Sequence, residues 1–157
     1  MADLTPVDLA DGIHRLRRLP DSGNGFLGLE PTTQHDQWML HRLTQMDAAL
    51  CVAESGTLLG SAPNPANPRQ SQVAVAADDS AALHALLSHL RATADTTSFT
   101  ATSCSTDTSL PALLDCGFQE VGTLRGHVFR AGVYRDVYLY YAAECDLRHH
   151  APGTRRS

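Results

Sequence analysis

Residues 110–141 read LPALLDCGFQEVGTLRGHVFRAGVYRDVYLYY, and this stretch decides the fold. Its first residues predict a short helix over 109–116, which Gly117 ends because glycine readily takes the left-handed conformation that closes a helix. Alternation of apolar and polar residues then predicts three strands, the last two of which form a hairpin. These strands cover residues 118–124, 127–130 and 133–141. A short helix followed by long strands therefore ends the domain.

The residues before this stretch predict the rest of a mixed sheet. Thr5 and Pro6 are typical of a helix start, as N-cap and first-turn residue. Residues 63–68, PNPANP, predict a loop because proline has no backbone donor. The further elements are helices over about 33–45 and 80–94 and strands over 49–53, 58–62, 71–77 and 98–103. The resulting order is α-α-β-β-β-α-β-α-β-β, which leaves open whether a strand precedes it and favours a sheet with helices on both faces.

The bulk composition favours one soluble domain. The chain has 157 residues, 43% of them apolar, which suits a single core. A formal net charge of -5 argues against a nucleic-acid backbone or an anionic membrane as partner. The charged N-terminus is unlike a signal peptide, so the cytoplasm is the expected location. We predict one domain over residues 1–143 and a disordered tail over 144–157.

The cysteines and histidines give no metal-binding pattern. Cys51, Cys104, Cys116 and Cys145 form no CxxC pair, which favours free thiols over disulfides or zinc. Two adjacent histidines in the tail, at 149 and 150, are too few to hold a metal ion. No metal cofactor is expected.

The element order resembles that of the GNAT superfamily of acyl-CoA-dependent N-acyltransferases over about residues 3–142. LCVAESGTLLGSA resembles the family's second and third strands, SQVAVAA its fourth strand, and GFQEVGTLR the start of its final strands. The resemblance implies an α/β fold with a mixed, mostly antiparallel sheet, helices on both faces and a splay between strands 4 and 5. It also implies a homodimer.

The resemblance further implies acetyl-CoA as cosubstrate, with its pantetheine arm in the splay and its pyrophosphate at the start of the following helix. Backbone amides of the fourth strand would polarise the thioester carbonyl. The residues expected at the cosubstrate are Val73, Ala74 and Val75 on that strand, Ser80, Ala81 and Ala82 at the helix start, and Thr106 after the fifth strand.

The chain departs from the family's phosphate loop. Residues 76–84 read AADDSAALH and contain neither glycine nor arginine, and Asp78 and Asp79 stand where the phosphates would lie. Two carboxylates repel phosphate, and both residues are also good helix caps. The usual acid and base are missing as well. Many members of the family carry a tyrosine on the last helix as the acid and a glutamate on the fourth strand as the base. Here the first position holds Leu113 or Leu114, and the second holds Gln70 or Gln72.

Other residues are therefore the candidates for the chemistry. His127 lies on a late strand near the expected mouth of the cleft, and Tyr134 and Tyr138 share one face of the last strand. Glu30 and His35 flank the loop between the first helices, which in the family often closes over the acceptor. Ordinary packing or solvation is the alternative for each of them.

Three functions remain open from the sequence. The first is an acyl-CoA-dependent N-acyltransferase acting on a small-molecule amine, such as an antibiotic or an amino-acid-like metabolite. The second is an enzyme of the same fold with other chemistry in the same cleft. The third is a non-catalytic module that binds a ligand or partner, since fold alone does not fix function.

Overall fold

The computed structural model describes residues 3–19 and 23–147, which form a seven-stranded sheet with helices on both faces. The strands are β1 (Leu4–Val7), β2 (Ala49–Ala53), β3 (Leu58–Asn64), β4 (Asn67–Val75), β5 (Ser98–Ser103), β6 (Gln119–Arg130) and β7 (Val133–Ala143). The helices are α1 (Leu9–Arg17), α2 (Asp36–Gln45), α3 (Ser80–Thr93) and α4 (Leu110–Asp115), with 3₁₀ turns at Phe26–Gly28 and Glu144–Asp146. The predicted element order is confirmed, with a strand preceding it, but the strands predicted over 118–124 and 127–130 are one continuous strand, β6.

The sheet is antiparallel except at its centre. Its strand order is β1-β2-β3-β4-β5-β7-β6, and β4 and β5 are parallel neighbours joined by α3. These two strands pair from Gln70–Ser98 to Gln72–Thr100, where the pairing ends. Beyond that point β4 continues along β3 and β5 along β7. The predicted splay between strands 4 and 5 is confirmed.

Two hydrophobic clusters hold the helices to the sheet, and β4 contributes to both by period-two alternation. Val73 and Val75 pack with α3 and α4 on one face. Ala74 and Ala76 pack with α1, α2 and the turn Phe26–Gly28 on the other. Strand β4 is therefore covered on both faces, and the splay beside it passes between the two helical layers.

The predicted start of the first helix was wrong. Thr5 and Pro6 lie in β1, paired with Val52 and Cys51, and α1 begins at Leu9. Asp8 is the N-cap, and its side chain accepts a hydrogen bond from the amide of Asp11. Residues Leu4–Val7 thus form an edge strand, and an edge strand tolerates proline.

The predicted loop over 63–68 was also wrong in extent. Strands β3 and β4 run into it as a hairpin, with a register irregularity at Pro63/Asn64. The pairing between β2 and β3 stops at the Ala49–Ser61 pair, so Pro63 lies beyond the part of β3 that forms hydrogen bonds with β2. A proline placed beyond the end of the neighbouring strand removes no ladder bond on that side.

The cysteines are free, as predicted. Burial raises the pKa of the Cys51 thiol to about 11, and burial together with Asp115 raises that of Cys116 to about 12. No helix among the described residues is long and apolar enough to span a membrane. At the C-terminus, Glu144 pairs with Arg91, and positions 148–157 of the predicted tail lie outside the described residues.

Candidate active site

The splay forms a narrow gap through the sheet. Its walls are Val73–Val75 of β4, Ala101 and Thr102 of β5, Ser109 and Leu113 of α4, and residues 24–26 of the α1–α2 connection. Three of the predicted cosubstrate residues, Val73, Ala74 and Val75, therefore line it. The gap measures about 10 Å³, which is room for about one water molecule.

The turn Phe26–Gly28 closes this gap from the α1–α2 side. Phe26 and Leu27 are buried, and they rest on Gly60 of β3. A Cβ atom built on Gly60 would lie 2.9 Å from Leu27 Cδ1 and 2.9 Å from Phe26 Cζ. A larger residue there would force the tips of these two buried side chains to shift, so the glycine allows the turn to pack closely on β3.

An acidic cavity of about 170 Å³ lies on the same face as the turn. It shares Gly25 and Thr102 with the gap, and it is defined here by Glu30, Asp107, Arg130 and His127 among its lining residues. Glu30 comes from the α1–α2 connection, Asp107 from the β5–α4 connection, and Arg130 from the end of β6. Three separate parts of the chain meet at this point.

A buried ion network joins these parts. Arg130 donates from Nε to Glu30 Oε2 (2.9 Å) and from Nη2 to Glu30 Oε1 (2.6 Å). Its Nη1 donates to Asp107 Oδ1 (2.7 Å). Asp107 Oδ2 also accepts from the amide of Cys104 (2.9 Å) and the hydroxyl of Ser103 (3.4 Å). The side chains of the three charged residues are at most 12% exposed.

The network leaves an excess of negative charge. Burial alone would lower the pKa of Arg130, but the contacts with Glu30 and Asp107 outweigh it and raise that pKa above its ordinary value. One guanidinium between two carboxylates gives the network itself a formal charge of about -1. The end of the acidic cavity at Glu30 and Asp107 is therefore suited to a cationic group, whereas Arg42, which lines the same cavity, balances the charge of the whole lining.

His127 is the predicted catalytic residue that the structure brings to this cavity. It is exposed at the cavity wall, together with Gln72 of β4 and the buried Cys104. A second, outer cavity of about 410 Å³ adjoins it and shares Arg42, Met46 and Gln72 as lining residues. Arg42 lines both cavities, whereas Glu30 and Asp107 line the acidic cavity alone.

The other predicted residues lie elsewhere. Tyr138 packs with the α3 and α4 cluster, because its neighbour Val137 faces the acidic cavity and alternate residues face opposite ways. Tyr134 is 70% exposed, and its ring packs at a tilt against that of Phe129, with the ring centroids 5.0 Å apart. His35 is the N-cap of α2, where its Nδ1 accepts from the amide of Trp38. Thr106 is exposed in the β5–α4 connection.

The start of α3, where Ser80, Ala81 and Ala82 were expected to hold phosphate, is occupied by the chain's own carboxylate. Asp79 is the N-cap, as the predicted capping run implied. Its Oδ1 accepts from the Ala82 amide (3.0 Å), and its Oδ2 accepts from the hydroxyls of Ser55 (2.6 Å) and Thr57 (2.7 Å). The positive end of the helix is thus already paired with an anion.

Acid is expected to weaken the contribution of Asp79 to stability. Burial alone would raise its pKa, but hydrogen bonds from Ser55, Thr57 and Ala82 together hold the pKa below its ordinary value. Such a carboxyl stabilises fully above its unfolded pKa of about 3.9, and that contribution is lost as the pH falls through the folded pKa. Urea denaturation should therefore give a free-energy difference between wild type and Asp79→Asn that is constant above about pH 5 and shrinks below about pH 4. A pH-independent difference would contradict this.

The fold of the chain is similar to that of solved acetyltransferase structures. The chain is similar to the spermidine N-acetyltransferase of Vibrio cholerae solved with CoA and spermine, with 12% identity, a TM-score of 0.67, and coverage of 92% of this chain and 96% of that chain. It is also similar to Mycobacterium smegmatis RimJ in complex with CoA-disulfide, with 19% identity, a TM-score of 0.64, and coverage of 94% and 84%. The chain has the GNAT fold.

Other comparisons limit what this GNAT fold implies. A dodecameric structure of the Vibrio cholerae spermidine N-acetyltransferase is similar at 10% identity and a TM-score of 0.63, over 91% of this chain and 94% of that chain. No family model and no curated protein matches the sequence. At these identities the likeness establishes the architecture, and the chemistry of the site has to be argued from its own residues.

Sequence reasoning missed the residue at the centre of the site. Arg130 lies 100 positions from Glu30, and no spacing rule connects them. Asp107 directly follows Thr106 but was not among the predicted site residues. The one available signal was that Arg130 ends a strand directly before an Ala-Gly turn. Among the described residues, no group of three or more His, Cys, Asp or Glu side chains is placed to hold a metal ion.

Proposed function

We propose that this protein is an N-acyltransferase that acylates the amine of a small molecule, with a thioester of the acyl-CoA type as donor. The observation that carries the proposal is the position of the acidic cavity, which adjoins the gap between β4 and β5 and shares Gly25 and Thr102 with it. An amine held by Glu30 and Asp107 would lie beside a donor arm in the gap, and acyl transfer depends on such proximity.

The donor side fits acetyl-CoA in part. Beyond Gln72 and Thr100 the facing edges of β4 and β5 are not paired with each other, so their backbone groups are suited to the amides of a pantetheine arm. The gap of about 10 Å³ requires the turn Phe26–Gly28 to move before an arm can enter. The pyrophosphate does not fit, because the Asp79 carboxylate holds the start of α3.

The acceptor side favours a compound that carries both an ammonium and a carboxylate. The acidic cavity would hold the ammonium near Glu30 and Asp107, and Arg42, shared with the outer cavity, would meet the carboxylate. His127 lies at the same cavity and is suited to accept the proton that the amine must lose before it reacts. An amino-acid-like metabolite matches both ends.

The test is a transfer assay on purified protein with acetyl-CoA and a panel of acceptors read by mass spectrometry. The panel contains α-amino acids, simple monoamines and polyamines. Acetylation of α-amino acids supports the proposal and its acceptor class. Acetylation of polyamines alone supports acyl transfer but contradicts the amino-acid-like acceptor. No acetylated product from any amine contradicts the proposed function.

Replacing Arg42 by glutamine is expected to raise KM for α-amino acids and leave KM for monoamines unchanged. Arg42 is exposed, so its pairing with a substrate carboxylate is screened and is worth about two- to fivefold in KM. Arg18 is an exposed arginine that does not line either cavity, and Arg18→Gln is the matched control. An equal change for both substrate classes would contradict the role of Arg42.

A specific observation favours a second candidate, a binding module for small cations without catalysis. The gap is closed in this conformation, while the acidic cavity is open and charged. Calorimetry with an acceptor amine detects binding in either case, and the transfer assay distinguishes the two, because only an acyltransferase consumes acetyl-CoA. The homodimer and the cytoplasmic location stay predictions. Light scattering, which measures the molar mass in solution, tests the homodimer.

A further inference from the structure

Strands β4 and β5 are parallel and are joined by α3. In units of this kind the N-terminus of the helix commonly binds anions. The first amides of the helix and its dipole point toward the end of β4, where parallel strands diverge. Ligands of open α/β sheets bind in the crevice at this end of the strands. In this chain the crevice is the gap, and the anion site is the first turn of α3.

That anion site is filled from within the chain. Asp79 accepts three hydrogen bonds, one from the α3 amide of Ala82 and two from the hydroxyls of Ser55 and Thr57, at 2.6–3.0 Å. Asp78, which is exposed, adds a second negative charge directly before it. A pyrophosphate group approaching α3 would have to displace the Asp79 cap, whereas the charge of the exposed Asp78 is screened by solvent.

We propose that the donor is recognised through its pantetheine arm and not through its nucleotide pyrophosphate, and that Asp79 sets this preference. This inference rests on the proposed function. It identifies the donor class as thioesters of pantetheine, with the nucleotide half contributing little to binding. The neutral arm can pair with the free edges of β4 and β5, whereas the phosphates gain nothing at α3.

Calorimetric titration of the full chain with acetyl-CoA and with S-acetylpantetheine tests this without any acceptor. We expect the two dissociation constants to differ by less than tenfold. A preference of tenfold or more for acetyl-CoA overturns the inference, because the nucleotide half would then contribute to binding. Failure of both compounds to bind at millimolar concentration overturns it too.

The Asp79→Gly variant supplies the second measurement. Glycine is tolerated as an N-cap and frees the α3 amides. We expect this variant to bind acetyl-CoA at least tenfold more tightly than wild type while its affinity for S-acetylpantetheine stays within threefold. Asp78→Gly removes the same charge without touching the cap and should change either affinity by less than threefold.

A gain in acetyl-CoA affinity below tenfold in Asp79→Gly, or an equal gain in Asp78→Gly, overturns the role of Asp79. A thermal unfolding curve checks that each variant is folded. Failure of the proposed function is seen separately, as the lack of acetylated product with either donor in the transfer assay. The affinity ratio and the variant effects are measured without turnover and therefore judge the inference alone.

Discussion

Replacing Arg130 by methionine is expected to lower the free energy of unfolding by about 3–5 kcal/mol, because breaking a buried ion pair leaves an uncompensated buried charge. Glu30 receives both of its charge-assisted bonds from Arg130. Asp107 keeps its bonds from Cys104 and Ser103, so the loss falls mainly on Glu30. Urea denaturation at neutral pH measures the change.

Arg125 provides the matched control, since it is an exposed arginine on the same strand. Arg125→Met should change the stability little, as is usual for exposed positions. The double variant Glu30→Met with Arg130→Met should recover part of the loss, because replacing both partners by apolar groups avoids the unpaired charge. A double variant less stable than Arg130→Met would contradict this account.

The same network explains why the gap is closed. The bonds from Arg130 hold the α1–α2 connection, which carries Glu30, against the β5–α4 connection, which carries Asp107. The turn Phe26–Gly28 lies just before Glu30 and covers the gap. Arg130 therefore couples the stability of the fold to the access of a ligand to the gap. A bound amine that competes with Arg130 for Glu30 or Asp107 would change both the stability and the access.

Much of the fold was predictable because local signals and burial agreed. The strand over 98–103 was predicted with its observed bounds, and Asp79 caps the helix that was predicted to begin at residue 80. The helix start failed because Thr5 and Pro6 suit both a helix N-terminus and an edge strand. Only pairing with β2, which is a tertiary contact, decides between them.

The site was much less predictable. Glu30 and His127 were named, but the residue that joins Glu30 to Asp107 was not, because contacts over 100 positions depend on how β6 and β7 meet the α1–α2 connection. The face of β7 was a further obstacle. Alternation grouped Tyr134 with Tyr138, but the side that faces the cavity is the one that holds Val137. Periodicity shows which residues share a face of a strand, but it does not show which of the two faces points toward the cavity.

Replacing His127 by alanine is expected to lower kcat for acyl transfer by about 10²–10⁴-fold, the usual contribution of a general base. His127 is exposed at the wall of the acidic cavity, and an amine bound near Glu30 and Asp107 carries a proton that must leave before it can react. The carboxylates favour the ammonium form and therefore make a separate proton acceptor more important. The stability should change little, because the ring is exposed.

Two controls separate a proton-transfer role from a merely structural one. His41 is an exposed histidine of α2 that lines neither cavity, and His41→Ala should leave kcat within about twofold, as expected for a surface position. Added imidazole should restore part of the activity of His127→Ala, since a small base can enter the space left by the side chain. A His127→Ala variant with wild-type kcat would mean that water takes the proton and that the cavity contributes binding alone.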